Sequence, residues 1–261
     1  MNYALAVWAG LGAIAVAGAC TQLPLESSAA ASTTAYRASS LTVRPPDSAG
    51  YERRPPRDPN GIGLYYQGRQ IAHVMGHEGA DWLERDDRNQ DEGTDLLLKE
   101  LALKPTDNVA DIGAGTGYFS FRMARLVPRG EVLAVDIQPE MITELKQRQL
   151  KNGLANVQPT LGTTTNPHLP ANDLDLVLIV DAYHEFDHPR EMGRAIAHAL
   201  RPGSGRLALV EYRAEDPNVP IKAIHKMTVA QAKKEMQAVG LKLVQVDEKL
   251  PQQHLMFFRR Q

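Results

Sequence analysis

Residues 109–120 read VADIGAGTGYFS, an apolar run followed at once by three glycines at alternate positions. Gly113, Gly115 and Gly117 fall between a predicted strand, NVADI, and a predicted helix, YFSFRMARLV. Glycine has no Cβ atom, so a turn built from it lets the backbone approach a ligand closely. The stretch therefore predicts a ligand-binding turn where a strand passes into a helix.

The spacing of these glycines argues against a nicotinamide dinucleotide. The dinucleotide fingerprint is G-x-G-x-x-G, and it opens onto a pyrophosphate at a helix N-terminus. Here the pattern is G-x-G-x-G, and the bulky Tyr118 and Phe119 come next. Asp111 adds a negative charge that would repel a pyrophosphate but suits a cationic ligand.

Strands and helices alternate on both sides of this turn. Continuous apolar strands are typical of a sheet buried on both faces, and strand–helix alternation indicates a parallel sheet with crossover helices. The last two predicted strands have no helix between them, which favours a hairpin and an antiparallel last strand. We predict an α/β domain over 105–261 with a doubly wound, seven-stranded, mostly parallel sheet, preceded by an N-terminal helical cap over 61–104.

A second acidic residue stands at the end of the next predicted strand, EVLAVDI. A carboxylate at this place, here Asp136, can accept two hydrogen bonds from the hydroxyl groups of a ribose. The glycine turn and Asp136 together predict a site for a ligand that contains a nucleoside.

Four stretches in this order resemble the motifs of the class I S-adenosylmethionine-dependent methyltransferases: VADIGAGTGYFS, VLAVDIQPEM, LDLVLIVDAYHEF and LRPGSGRLALVEY. The resemblance covers roughly residues 90–260 and looks closest to the ubiquinone/menaquinone C-methyltransferase type. It implies a Rossmann-like fold, S-adenosylmethionine as cofactor and a small-molecule methyl acceptor.

The resemblance also assigns roles to cofactor-binding residues. Residues 162–165, Gly-Thr-Thr-Thr, stand where the family often has an acidic residue for the adenine amine. That contact must then come from a hydroxyl or backbone group, or be absent. The resemblance implies that Asp136 binds the ribose and that Ile137 packs against one face of the adenine. It also implies that four residues lie near the methionine moiety: Asp111, Gly113, Gly115 and Gly117.

The acceptor is expected at the carboxyl ends of the strands, where open α/β sheets bind ligands. The stretch DAYHEFDHP lies there and supplies Asp181 and His184 as candidate catalytic residues. His184 is the preferred base, because an imidazole ordinarily titrates near pH 6.5. A structural histidine at this position is the alternative. In the loop AIHKM, His225 and Lys226 are weaker candidates for contact with an anionic acceptor.

Charge and cysteine content exclude several classes of function. The net charge of −2 gives no indication of a nucleic-acid partner. Cys20 is the sole cysteine, which rules out an internal disulfide, a cysteine-built metal site and methyl transfer that needs cysteine nucleophiles. His73 and His77 have the spacing of metal ligands, but glycines nearby argue against a regular helix. No metal site is predicted.

The N-terminal residues predict an export signal that does not belong to the folded domain. Residues 1–20 are apolar, and small residues precede Cys20, so the segment resembles a bacterial lipoprotein signal with Cys20 as the lipidated residue. An uncleaved membrane anchor is one alternative, and a cytoplasmic protein whose first residues are no signal is another. Residues 21–60 are rich in Ser, Ala, Pro and charge, which predicts a disordered linker.

The function expected from these features is methyl transfer from S-adenosylmethionine to an unidentified small molecule, in a lipoprotein anchored to a membrane of the cell envelope. A non-catalytic S-adenosylmethionine-binding or scaffold lipoprotein is the alternative, since little of this cofactor is expected in the cell envelope.

Overall fold

The computed structural model describes residues 47 and 49–261, in which strands and helices alternate from β4 onward. The strands are β1 (Tyr51–Arg53), β2 (Gly61–Tyr66), β3 (Arg69–Ala72), β4 (Val109–Ile112), β5 (Val132–Asp136), β6 (Val157–Leu161), β7 (Leu176–Val180), β8 (Arg206–Arg213), β9 (Lys226–Met227), β10 (Leu241–Asp247) and β11 (Gln253–Arg260). The helices are α1 (Ala80–Leu83), α2 (Arg88–Glu92), α3 (Thr94–Glu100), α4 (Ser120–Leu126), α5 (Pro139–Asn152), α6 (Pro189–Ala199) and α7 (Val229–Gln237).

The central sheet has the strand order β10-β11-β8-β7-β4-β5-β6, with the short β9 paired beside β8. Neighbours from β6 to β8 are parallel, whereas β11 runs antiparallel to both β8 and β10. The predicted mostly parallel sheet with an antiparallel last strand is confirmed. The chain leaves β4 towards β5 on one side and later returns to β7 on the other, so the strand order reverses beside β4. Ligands of such sheets bind in the crevice at this reversal.

Helices cover both faces of the sheet and enclose two apolar clusters. One cluster packs Phe121 and Leu145, from α4 and α5, against one face. The other packs Ile196 and Met236, from α6 and α7, against the opposite face. All four residues of β4 are buried, which explains why the strand reads as an unbroken apolar run apart from Asp111.

The region before the central sheet differs from the prediction. The sequence predicts helices over 61–104, but β2 and β3 form a hairpin there. β1 lies within the predicted linker and pairs with β2. The two-residue turn Gln67–Gly68 has positive φ at both positions, 52° and 94°, the conformation that connects twisted antiparallel strands. Tyr66 and Ile71 are fully buried and anchor the hairpin. Within 61–104, the predicted helices are present only from α1 to α3.

The predicted signal over 1–20 and the first part of the predicted linker lie outside the described residues. Among the residues that are described, no helix has the length and apolarity needed to span a membrane.

Candidate functional site

A cavity of about 630 Å³ opens at the carboxyl ends of β4, β5 and β7. This volume lies within the range of about 300–1,000 Å³ that is usual for small-molecule sites. The wall comes from the glycine turn, the ends of β5 and β7, the loop before β9, and a segment of the N-terminal region over 73–92. The cavity thus sits at the reversal in strand order.

The three glycines of the turn have two different roles. All have positive φ, which only glycine adopts without strain. Gly113 and Gly115 line the cavity. Gly117 faces inward instead, where an added Cβ atom would lie 2.7 Å from Leu145 and against the ring of Phe121. Gly117 therefore allows α4 and α5 to pack closely, whereas Gly113 and Gly115 expose the backbone to a ligand.

Asp136 shapes the cavity wall at the end of β5. Its carboxylate accepts hydrogen bonds from the backbone N–H groups of Gly115 and Gln138, each at 2.9 Å. Burial raises the pKa of Asp136, and these backbone donors oppose that shift. The next residue, Ile137, is 36% exposed and also lines the cavity. Thr163 and Thr164 lie on the same wall, so hydroxyl groups are present where the family often has an acidic residue.

Asp111 lies beneath the glycine turn rather than on the cavity wall. Its carboxylate accepts a hydrogen bond of 2.6 Å from the hydroxyl of Ser120, at the start of α4. Burial raises the pKa of Asp111 to about 6. This carboxylate links β4 to α4 and supports the turn from below.

Asp181 follows β7 and faces the cavity with a strained backbone, at φ 48°. Its Oδ2 accepts a hydrogen bond of 3.1 Å from Gln253, while its buried Oδ1 has no hydrogen-bond partner among the described residues. Burial raises the pKa of Asp181 well above its ordinary value, and the neighbouring Glu92 adds to the effect. A protonated Asp181 can donate a hydrogen bond into the cavity, but it is a poor base.

His184 lies in a short 3₁₀ turn, Tyr183–Glu185, and is held by a buried carboxylate. Its Nδ1 lies 2.7 Å from Oε2 of Glu211, and its backbone N–H donates to Oε1 of the same residue at 3.2 Å. Glu211 is completely buried in β8. A carboxylate oxygen accepts hydrogen bonds, so this contact favours the tautomer of His184 in which Nδ1 carries the proton and Nε2 presents a lone pair.

Two further side chains meet His184 at this end of the cavity. Nε2 of His184 lies 3.0 Å from Nδ1 of His225, which belongs to the 3₁₀ turn before β9. Glu185 places Oε1 3.7 Å and 3.9 Å from these two nitrogens, and its Oε2 accepts from the backbone N–H of Met75 at 3.1 Å. Burial lowers the pKa of His225 and raises that of Glu185. We call His184, Glu185 and His225 the histidine cluster.

A segment of the N-terminal region covers the glycine turn. The side chain of Leu83 occupies the space above Gly115, where a Cβ atom would meet it at 2.6 Å. Glu84 holds the segment in place, accepting a hydrogen bond of 2.6 Å from Thr116 and forming an ion pair with Arg148 of α5. Access to the backbone of Gly115 therefore depends on residues 80–84.

Among the described residues, the side chains of the remaining sequence candidates form no hydrogen bond or ion pair with Asp181 or the histidine cluster. Lys226 donates to the backbone carbonyls of Asp216 and Val219, so its ammonium is held within its own loop. His77 lies in a 3₁₀ turn away from the cavity wall, whereas the exposed His73 lines the wall, so the two do not act as a pair.

Sequence reasoning missed Glu211 and Glu92, which both hold side chains at the acceptor end. Glu211 orients His184, and Glu92 pairs with the buried Arg88 at 2.9 Å on the cavity wall. A signal for Glu211 was present. It is a lone carboxylate inside the apolar strand RLALVEYR, and a buried charge requires a partner.

Comparison with known proteins shows what the residues around this cavity are similar to. Residues 109–203 match a family model described as a methyltransferase domain. An uncharacterized methyltransferase of Mycobacterium tuberculosis is 40% identical over 120 residues, which are 46% of this chain and 44% of that protein. An uncharacterized methyltransferase-like protein of Schizosaccharomyces pombe is 32% identical over 127 residues, or 49% and 46% of the two chains. The chain thus spans less than half the length of these relatives.

A solved structure extends the similarity at the level of the fold. The crystal structure of a SAM-dependent methyltransferase from Aquifex aeolicus superimposes with a TM-score of 0.66 at 21% identity. The match covers 71% of this chain and 98% of that one. Together these comparisons confirm the predicted Rossmann-like fold and show that residues 109–203 are similar to a methyltransferase domain.

Proposed function

We propose that this chain transfers the methyl group of S-adenosylmethionine to a small-molecule acceptor bound beside the histidine cluster. The observation that carries the proposal is a single cavity with two unlike ends. One end has the glycine turn and Asp136, and the other has buried groups that can exchange protons. The match of residues 109–203 to a methyltransferase domain supports the same function.

The cofactor end binds through backbone and carboxylate groups. In this proposal Asp136 accepts hydrogen bonds from the ribose hydroxyls, and Ile137 packs against the adenine. Gly113 and Gly115 let the backbone approach the methionine moiety. Asp111 and Gly117 act indirectly, because one supports the turn from below and the other allows the helices to pack. This assignment differs from the expectation that both lie against the ligand.

The acceptor end positions a nucleophile in line with the methyl group. When bound, S-adenosylmethionine supplies an electrophilic methyl group on a sulfonium, so the protein's main task is to orient the acceptor. His184, oriented by Glu211, promotes ionisation of the acceptor. Burial raises the pKa of Asp181 well above its ordinary value and so favours its protonated form, which donates a hydrogen bond to the acceptor instead of removing its proton.

Two finer assignments belong to the proposal. The first is an apolar acceptor of the quinol type, supported by the sequence motifs and by the apolar Val74, Met75 and Phe186 on the cavity wall. The second is attachment to the cell envelope through lipidated Cys20, supported by the apolar residues before it. Mass spectrometry of the native protein tests the second. A lipid on Cys20 supports it, and an N-terminus that retains residues 1–19 contradicts it.

Calorimetry with S-adenosylmethionine and with NADH tests the function on the full chain. We expect binding of S-adenosylmethionine alone, weakened by about 1.5–3 kcal/mol in Asp136→Ala, the usual scale for hydrogen bonds to a charged group. Glu140→Ala is the matched control, since this exposed carboxylate lies nearby in α5. Wild-type affinity in a folded Asp136→Ala variant would remove Asp136 from the site, and binding without turnover on any acceptor would favour the scaffold alternative.

A further inference from the structure

We propose that the histidine cluster is a binding site for one divalent transition-metal ion of the zinc type, open on the side of the cavity. The three side chains each offer one donor atom, and all three atoms lie within 4.8 Å of one another. The sequence predicted no metal site, because residues 184 and 225 lie far apart in the chain and the fold alone brings them together. This proposal rests on the proposed function in one respect only, namely that the methyl acceptor is what binds at the open coordination position of the ion.

The distances between the donor atoms fit a metal ion. Nε2 of His184, Nδ1 of His225 and Oε1 of Glu185 are separated by 3.0, 3.7 and 3.9 Å. A point equidistant from three atoms so arranged lies about 2.1 Å from each. Zinc–histidine bonds are about 2.0–2.1 Å long, and zinc–carboxylate bonds about 2.0–2.2 Å. An ion can therefore enter with little rearrangement.

The surroundings of His184 are those of a metal ligand. Metal-binding histidines donate their second ring N–H to a carboxylate or carbonyl, which fixes the tautomer and the ring orientation. Glu211 provides this contact at 2.7 Å and is completely buried. The lone pair on Nε2 then points toward His225 and the cavity. A hydrogen bond between the two imidazoles accounts for the 3.0 Å contact, and the backbone N–H of Met75 holds Oε2 of Glu185 so that Oε1 faces both nitrogens.

The donor set indicates which ions fit. Two imidazoles and one carboxylate, with the remaining positions open, are found in catalytic zinc sites and in non-haem iron(II) sites. Magnesium prefers an octahedral set of oxygen ligands, which this cluster does not offer among the described residues. The open positions face the cavity that the three ligands line. A hydroxyl group of the acceptor bound there would ionise near neutral pH, as zinc-bound water does, and release its proton to solvent.

Metal binding to the full chain can be measured without any acceptor. Protein stripped with a chelator is dialysed against Zn²⁺, Co²⁺ or Mg²⁺, and bound metal is counted by mass spectrometry. We expect one Zn²⁺ or Co²⁺ per chain and no Mg²⁺. His225→Ala and Glu185→Gln should weaken binding at least tenfold, and Glu211→Gln should weaken it about 10–100-fold, as outer-shell partners do. His198→Ala, a change to an exposed histidine, is the control and should bind as the wild type does.

Two outcomes would overturn the metal site. One is a wild-type chain that binds no Zn²⁺ or Co²⁺ at micromolar concentration. The other is binding that survives both His225→Ala and Glu185→Gln, which places the ion elsewhere. His225 is partly exposed in a loop, so its variant should fold even where a change at His184 does not. The visible absorption spectrum of bound Co²⁺ depends on its coordination number and ligand field, so it should change in His225→Ala.

The same samples separate this proposal from the function. Calorimetry with S-adenosylmethionine is run on the metal-free and the metal-loaded chain. A wild-type chain that binds S-adenosylmethionine but no metal would contradict the metal site alone. Intact metal binding with no cofactor binding would defeat the proposed methyl transfer and leave the metal site standing.

Discussion

The two ends of the cavity are built by different means. At the cofactor end, Gly113, Gly115 and Asp136 lie within one strand–helix–strand unit, and a single carboxylate binds backbone N–H groups. At the acceptor end, His184 and His225 come from separate loops and meet through side-chain contacts that Glu211 organises from β8. Backbone groups and one nearby carboxylate form one site, and side chains far apart in the chain form the other.

This difference decides how each end responds to a substitution. Backbone donors remain when a side chain is removed, so a change at the cofactor end removes one contact at a time. A buried pair such as His184 and Glu211 depends on both partners, because losing one leaves the other buried without compensation. The acceptor end should therefore show the larger effects on turnover.

The largest expected effect follows from His184→Ala. Turnover should fall by about 10²–10⁴, the range for losing a group that handles the acceptor's proton. Affinity for S-adenosylmethionine should stay within about threefold, because the ends of β4 and β5 hold the cofactor. Transfer of a labelled methyl group to quinol-type acceptors, with calorimetry on the same samples, checks both halves. His198→Ala should match the wild type in both.

A structural role for His184 would give another pattern. The variant would then melt at lower temperature and lose cofactor affinity together with turnover, in proportion to the folded fraction. That result would contradict the proposal that substitutions at the acceptor end affect turnover without affecting cofactor binding.

The same contrast explains what could be predicted from sequence. The glycine turn, Asp136 and the alternation of strands and helices are local patterns, so they predicted the fold and located the cavity. The hairpin of β2 and β3 was missed because the turn at Gln67–Gly68 lacks the usual Asn-Gly or Asp-Gly signature. The histidine cluster was missed because no spacing in the sequence relates 184–185 to 225.

Within the glycine turn, Gly117→Ala should cost more folding stability than Gly115→Ala. A methyl group on Gly117 would overlap Phe121 and Leu145 in the core at a positive φ, and we expect a loss of about 2–4 kcal/mol. A methyl group on Gly115 meets the end of one flexible side chain, Leu83, so Gly115→Ala should fold and lose cofactor affinity. Urea unfolding and calorimetry on both variants separate these effects. Equal stability losses would contradict the two roles assigned to the glycines.

The free energy of unfolding should depend on pH if Asp111 is buried beneath the glycine turn. Burial raises its pKa to about 6 in the folded chain, from an ordinary value of 3.8, so the fold favours the protonated form. Its contribution is complete below pH 3.8 and is lost as the pH rises through 6. Compared with Asp111→Asn, the wild type should lose about 2 kcal/mol of unfolding free energy between pH 4 and pH 7, at about 1.4 kcal/mol per pKa unit, because the unfolded carboxyl is already partly ionised at pH 4. Urea unfolding across this range checks the difference, and a pH-independent difference would place the carboxyl in contact with solvent.

The smallest expected effect concerns the segment over the glycine turn. Glu84→Gln removes an exposed ion pair with Arg148, a contact worth about 0–1 kcal/mol, so the equilibrium affinity for S-adenosylmethionine should change less than about fivefold. Because Leu83 lies over Gly115, loosening this segment should speed both binding and release of the cofactor.

Trp82 offers a direct reporter of that motion. It lines the cavity beside Leu83, is 51% exposed, and is the one tryptophan within the described residues, the other being Trp8. Stopped-flow fluorescence should therefore show faster association and dissociation in Glu84→Gln than in the wild type, and Trp82→Phe should abolish the signal. If both rates stay at the wild-type values, residues 80–84 do not limit access to Gly115. The cofactor would then enter past the loop before β9 at the acceptor end.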